Sequence, residues 1–309
     1  HISRTDPEAP CRKTANLMRK ILLATILFLT LACQAAIAAP WSDRITVTVH
    51  GRGPDIILIP GMTCSIAVWD STVAHLGDHY RVHLVQVDGF AGTPAEANAN
   101  GPVVQPTVDA IDSYIEANQL KGAKIIGHSL GGTMGLMLAL QHPEDVGSLM
   151  IVDALPFSGM LLGSDDVASA RKIAAKMRNR TIKESQKRYA HDEKKFLRIL
   201  VKSPEGLKLA TQWAVASDKS VVAQATYDDM TTDLRPELHG LKIPVTILYP
   251  WDSKSGHSKS QTDGFYHQAY AALPRKTFAR IDDSYHFIMF DQPEAFLKQV
   301  DKFAGAIQK

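Results

Sequence analysis

The chain has 309 residues, 45% of them apolar and 21% charged. That suits one large packed domain, or one carrying an inserted sub-domain, and excludes fibrous, disordered and multi-span membrane classes. Its 34 basic and 32 acidic residues give a formal charge of +2, but five bases and two acids lie within the first 38 residues, so the remainder carries −1 and offers no electrostatic basis for nucleic-acid binding.

Residues 1–17 are polar and unpatterned and precede Met18, so they are set aside as leader. Met18-Arg19-Lys20, the apolar run from Ile21 to Ala32 and the small residues Ala35 to Ala39 have the layout of a secretory signal peptide. The apolar stretch is about a dozen residues long, short of the roughly 20 that a membrane span needs. The expectation is a signal segment over 18–38, cleaved after Ala38, with export to the periplasm or the medium and no stable membrane span. A lipoprotein built on Cys33 is the alternative, with Thr30-Leu31-Ala32 a poor lipobox. Cys11 and Cys33 belong to this leader, which leaves Cys64 without a disulfide partner, and a buried bystander thiol is expected there.

Further along, short β-rich apolar runs alternate with helical patterns, which predicts βα units and a mostly parallel sheet. Strands are expected over 45–49, 56–59, 82–87, 124–126, 148–152, 245–249 and 277–281. The first alternates strictly and is followed by Gly51-Arg52-Gly53-Pro54, which suits an antiparallel edge hairpin. Helices are expected over 107–118 and over 130–140, the second apolar nearly all round and therefore buried. A C-terminal helix is expected to be capped by Asp291, to begin at Gln292-Pro293, and to bury Phe296, Val300, Phe303 and Ile307. From about 157 to 241 no strand pattern is visible. This stretch reads as a helical cap, between core segments 39–156 and 242–309. From Arg171 to Lys208 it holds 13 Lys or Arg against four Asp or Glu, either a solvated helical surface or a field favouring anionic substrates.

The sharpest signal is Gly127-His128-Ser129-Leu130-Gly131 between an apolar strand and a buried helix. In that setting a G-x-S-x-G pattern presents a serine on a tight, strained turn. Glycines at 127 and 131 remove the β-carbons that would collide as strand folds onto helix, and Ser129 is expected at positive φ. A hydroxyl needs a base to become a nucleophile. His286, after the last strand and before the C-terminal helix, can hang at the carboxyl edge of the sheet, where ligand sites of parallel sheets lie. The base needs an acceptor for its second nitrogen. Asp252, after the strand ending Leu248-Tyr249, is the expected acid, with Asp153 as the alternative and Asp282 or Asp283 behind it. Two N–H donors are needed for a developing oxyanion. The Met62 amide, after Pro60-Gly61, and the Leu130 amide, at a helix N-terminus, are the candidates. Gly61, Trp69 and His128 are candidate pocket residues, with core packing the competing reading of Trp69. There is no H-E-x-x-H, no cysteine pair at ligand spacing and no nucleotide or flavin fingerprint, so no metal and no cofactor are expected.

Taken together, strand-Pro60-Gly61, Asp88-Gly89-Phe90-Ala91-Gly92, Gly127-His128-Ser129-Leu130-Gly131-Gly132, a helical insertion, Asp252, His286 and Pro293-Glu294-Ala295-Phe296 resemble the α/β-hydrolase superfamily over nearly all of the chain after the leader. The resemblance implies an α/β-hydrolase fold, a mostly parallel central sheet flanked by helices with an inserted helical cap, and a triad in the order nucleophile, acid, histidine. Two departures stand out. Pro60 occupies a position where many members carry histidine, and Tyr249-Pro250-Trp251 replaces a glycine-containing turn before the acid. A serine rather than an aspartate at the elbow argues against the dehalogenase and epoxide-hydrolase branches. The expected activity is hydrolysis of a small carboxylic ester or lactone through an acyl-Ser129 intermediate, with an anionic substrate as the option that the charge of the cap raises. Acyltransferase or perhydrolase, thioesterase and aminopeptidase chemistry are alternative uses of the same groups, and a non-catalytic binding protein is the remaining class.

Overall fold

The computed structural model describes residues 39, 41 and 43–305. The leader 1–17, the expected signal segment 18–38 and Ile307 lie outside the described residues. Among the described residues seven strands form one sheet: β1 Ile45–Gly51, β2 Asp55–Ile59, β3 Arg81–Val87, β4 Ala123–His128, β5 Val146–Val152, β6 Val245–Trp251 and β7 Lys276–Asp282. Their order across the sheet is β1-β3-β2-β4-β5-β6-β7. The five pairings other than β1 with β3 are expected to be parallel from the βα rhythm, and those observed, β2 with β3 and β4, β4 with β5, β5 with β6 and β6 with β7, are. β1 is an antiparallel edge strand, but it pairs with β3 rather than folding back on β2. The expected hairpin is therefore corrected: the Gly51–Pro54 turn carries the chain across to a strand that is not its neighbour.

The helices, in chain order, are α1 Asp70–Leu76, α2 Val104–Ala117, α3 Leu130–Gln141, α4 Val167–Lys183, α5 Gln186–Leu197, α6 Pro204–Ala216, α7 Lys219–Thr231, α8 Lys259–Ala269, α9 Ile288–Asp291 and α10 Pro293–Ala304. Each face of the sheet has its own core. Ile57, Ile59 and Ile125 pack with residues of α2 and α3, while Ile56, Leu58 and Ile126 pack with Trp69 and with Phe296 and Val300 of α10. Both faces being covered, the inner strands read as continuous apolar runs, and each fully buried Ile or Leu contributes about 1.5–3 kcal/mol. Trp69 has no exposed surface and stacks on Phe296 with ring centroids 6.2 Å apart. It is a core residue and does not wall the cavity described below.

Between β5 and β6 lie α4 to α7. Each begins with a side-chain cap, from Asp166, Ser185, Ser203 and Asp218, which supplies an acceptor for N–H groups that have none within the helix. α4 packs on α7 and α5 on α6. The two ends of this helical segment meet in an isolated bridge between Phe157 and Asp233. The segment is also tied to the sheet side: the Asp228 carboxylate on α7 accepts the Val103 and Val104 N–H groups at 2.7 and 3.2 Å, serving the start of α2, which lacks a cap of its own.

The start of α10 departs from expectation. Its N-cap is Gln292, without a side-chain bond. Asp291 instead turns away from the helix and accepts three backbone N–H groups, from Lys202 (3.0 Å), Ser203 (2.8 Å) and Tyr285 (2.8 Å). Those three donors outcompete a capping role, since an unpaired buried N–H is costly.

Candidate functional site

Strand order brings the functional loops together. β2 and β4 are neighbours, with Ile59 level with Gly127, so the Gly61-Met62 turn and the Ser129 elbow emerge side by side at the carboxyl edge. β5 lies on the other side of β4, with Val152 level with His128. The Ser129 N–H donates to Val152 O at 2.9 Å, which holds the elbow against the loop that follows β5.

Ser129 has φ 53° and ψ −124°, a conformation costing a non-glycine residue of order 1–3 kcal/mol. The surroundings enforce it. A β-carbon on Gly127 would lie 2.2 Å from Gly131 O, and one on Gly131 would lie 2.2 Å from Ile59 O, so strand and helix can approach this closely only with glycine at both positions. One on Gly61 would lie 3.1 Å from Ser129 Cβ, which places the Gly61-Met62 turn against the serine. Among the described residues the Met62 and Leu130 amides have no acceptor. Both residues line the same cavity as Ser129, and Leu130 is the first residue of α3, where N–H groups are free and the helix dipole favours negative charge.

His286 Nδ1 lies 2.6 Å from Asp153 Oδ2. The expectation that Asp252 holds the histidine is overturned, and the alternative, Asp153, takes that place. The reason is strand length. Val152 is level with Leu248, and the Asp153 N–H donates to Leu248 O at 2.8 Å, so β5 stops beside the elbow. Tyr249-Pro250-Trp251 does not turn but continues β6, paired with Arg280, Ile281 and Asp282 of β7. Asp252 is thereby carried three residues beyond the level of Asp153, roughly 10 Å along a strand. There its carboxylate meets Lys202 Nζ at 2.7 Å and the Lys254 N–H at 2.8 Å, and the Lys202 bond first, then the backbone bond, holds it below the ordinary carboxylate range. Asp282 and Asp283 are also elsewhere: Asp282 pairs with Lys259 and Arg280, and the Asp283 carbonyl accepts from Lys202 Nζ at 3.2 Å.

Two residues invisible to sequence reasoning complete the contact. Asp153, itself at φ 50°, accepts the Tyr266 hydroxyl of α8 on its other oxygen. Burial first, and then the Asp153 charge, hold the Tyr266 phenol well above its ordinary range, so it stays a donor. Tyr270 donates to Ala154 O at 3.0 Å, and Tyr266 stacks on Tyr249 with centroids 4.3 Å apart. Aromatic residues on α8 and at its C-terminal cap therefore fix the β5 loop. The i, i+4 spacing of Tyr266 and Tyr270 was the available signal, but a helix face of that kind reads equally as core.

His128 is fully buried, and its Nε2 donates to the His286 carbonyl at 3.1 Å. Burial, reinforced by His286, holds its imidazole well below the ordinary histidine range. Its ring lies 4.7 Å from that of His286, so a neutral His128 supports the loop carrying His286 without competing for the proton. Cys64 is buried, and burial pushes its thiol up to about 12, which leaves it unreactive.

Ser129, Asp153, His286, Gly61, Met62 and Leu130 border one cavity of about 1320 Å³, roofed by the helical segment. Apolar side chains stand exposed at its mouth, Leu161, Phe196 and Ile199 among them. The mouth is of mixed charge: Arg178, Arg180 and Arg198 face Glu184, Asp192 and Glu193, and Arg180 is already paired with Asp192 at 2.7 Å. Among the described residues one group stands at metal-ligating spacing, Asp112, His142 and Asp145. His142 follows the last residue of α3, roughly 18 Å along the helix from Ser129, so this group plays no part in the cavity. Among the described residues no helix is long and apolar enough to cross a membrane.

A family model described as alpha/beta hydrolase family matches residues 56–299. A pimeloyl-acyl-carrier-protein methyl ester esterase of Aeromonas hydrophila is 25% identical over 284 residues, covering 84% of this chain and 99% of that protein. The protein of the same description from Vibrio cholerae is 28% identical over 279 residues, covering 83% and 96%. Among solved structures, the enol-lactonase from Burkholderia xenovorans superimposes with a TM-score of 0.69 at 18% identity, covering 84% of this chain and 96% of that one. With its sheet order, its glycine-enforced elbow and a family match over most of its length, this chain belongs to the alpha/beta hydrolase family.

Proposed function

We propose that the protein is a serine hydrolase that cleaves a small carboxylic ester or lactone, with Ser129 as nucleophile, His286 as general base and Asp153 as the acid that orients it. The observation that carries this reading is the 2.6 Å contact between His286 Nδ1 and Asp153 Oδ2 at the cavity that Ser129 also borders. An acceptor on Nδ1 leaves Nε2 to take the serine proton and stabilises the imidazolium that results. In the first half-reaction Ser129 Oγ bonds to the ester carbon as its proton passes to His286. The tetrahedral oxyanion is received by the Met62 and Leu130 N–H groups, and its collapse breaks the bond to the alcohol, which leaves with the proton from His286. In the second, His286 takes a proton from water, whose oxygen attacks the acyl carbon, and Ser129 departs with that proton restored.

Relatives described as methyl ester esterases, matched over nearly their full length, support an ester as the substrate class. Export belongs to the same proposal, through residues 18–38 acting as a cleaved signal; an unprocessed N-terminus on protein recovered from an expressing cell's envelope would exclude it.

The test is labelling with a fluorophosphonate, read by intact mass and peptide mapping, beside turnover of p-nitrophenyl esters of increasing chain length. The expected result is one adduct, on Ser129, with ester hydrolysis that Ser129→Ala lowers by about 10⁶-fold in kcat. Full activity in Ser129→Ala excludes the assignment.

A further inference from the structure

The cavity contains a carboxylate that the proposed chemistry does not use. Asp229, on α7, is only 7% exposed and lines the cavity together with Thr133 and Ser158, which are also buried. The hydroxyls of Ser158 and Thr133 adjoin its carboxyl. Even so, Asp229 Oδ1 and Thr133 Oγ1 have no hydrogen-bond partner among the described residues. Met160, Val222 and Met230 border the same space, so the cluster is a polar island in an apolar wall. Burial pushes the carboxyl up to about 6, with Asp228 acting in the same direction and Ser158, Thr133 and His286 against it.

Its position relative to the nucleophile follows from α3. Thr133 is four residues after Ser129, and its N–H donates to Ser129 O at 3.1 Å. That bond sets Thr133 in the first turn of α3, directly after the elbow. The cluster lines the same cavity as Ser129 and His286, the space open to the acyl group of a substrate on Ser129. Buried polar atoms are nearly always paired, and a half-satisfied buried network costs stability. Such a cost persists where it serves a ligand.

We propose that Asp229, with Thr133 and Ser158, is a specificity subsite that takes a hydrogen-bond donor, a hydroxyl or a protonated amine, carried by the substrate close to the scissile carbonyl. The proposal rests on the reading of Ser129 as nucleophile. An ionised carboxylate only accepts hydrogen bonds, while the two hydroxyls can turn to donate or accept. A donor on the substrate therefore completes the network. A plain alkyl chain leaves it unpaired, the situation in which a site discriminates most strongly against an analogue.

The experiment compares kcat/KM for the p-nitrophenyl esters of butyrate, 3-hydroxybutyrate and 3-aminobutyrate, in the full chain and in its Asp229→Ala, Asp229→Asn and Thr133→Val variants. The unaltered protein should favour a donor-bearing ester over butyrate by about tenfold or more. A preference for the amino ester alone identifies an amine ligand, and one for the hydroxy ester alone a hydroxyl. Asp229→Ala should bring the preference close to one. Asp229→Asn should abolish a preference for the amino ester while keeping part of one for the hydroxy ester, and Thr133→Val should reduce either. A merely structural role lowers all three rates together and leaves their ratios unchanged, which overturns the proposal, as does equal turnover of the three esters by the unaltered protein. Turnover of butyrate with a fluorophosphonate adduct on Ser129 keeps the nucleophile reading standing in either of those cases. Absence of both adduct and turnover overturns that reading, and the subsite with it.

Discussion

The loops after β5 and β6 each end a parallel strand on an aspartate, yet the two carboxylates meet different partners. Asp153 follows a strand that stops level with the elbow, adopts φ 50° and is held between Tyr266 and His286. Asp252 follows a strand that runs on through Trp251, and it pairs with Lys202 of the helical segment. The carboxylate best placed by chain order is therefore not the one best placed in space. A difference of three residues in where a strand ends decides which acid faces the histidine and which joins the sheet to its insertion.

That contrast can be broken by exchanging the two acids' fates. Asp153→Asn should lower kcat by about 10⁴-fold, because an amide cannot hold the imidazole in the productive tautomer or stabilise its cation, whereas Asp252→Asn should change kcat by less than about threefold. Steady-state kinetics on one ester decides this, and the reverse order of effects would return the acid's role to Asp252. A finer test is Tyr266→Phe, which removes one of the hydrogen bonds fixing the Asp153 carboxylate. A loss of about tenfold in kcat with little change in KM is expected, the size of one hydrogen bond to a charged group.

The smallest effect concerns the Asp252–Lys202 pair. Its lysine is 41% exposed, so water screens the interaction and its worth is at most about 1 kcal/mol. Asp252 has its carboxyl held below the ordinary value of 3.8. The stabilisation it gives is therefore present above that value and lost as pH falls through it toward the lower folded-state value. Thermal melts should show Asp252→Asn less stable than the parent at pH 7, with the difference narrowing steadily as the pH falls below 3.8 and also shrinking in high salt. A gap that does not change with either pH or salt would mean that packing rather than charge holds this loop.

Much of the frame was legible. All seven strands were marked by runs of β-branched residues bounded by turn residues, and the elbow by two glycines whose need is a short-range steric fact. His286 was found because only one histidine stood between the last strand and the last helix. What escaped was tertiary. The choice between Asp153 and Asp252 depended on whether Tyr249-Pro250-Trp251 bends or extends, and it extends because β7 offers it a partner along its whole length. β1 found β3 instead of β2, Trp69 went into the core, and Asp291 left its helix for three distant amides. Tyr266 and Asp229 reach the cavity from helices whose faces read equally as core, and Lys202 meets Asp252 from a loop between two helices, so no motif singled them out.

The carboxylate of Asp291 makes the helical segment and the histidine loop a single mechanical part. It holds the N–H groups of Lys202 and Ser203 on one side and of Tyr285, next to His286, on the other, while the Phe287 N–H donates to Leu200 O at 3.2 Å. The roof over the cavity cannot lift at this corner without dragging His286 out of register with the elbow. In hydrogen exchange, the amides of 202, 203, 285 and 287 should open as one cooperative unit, so that a substrate enters by way of the mouth at Leu161, Phe196 and Ile199 while the corner beside His286 stays shut.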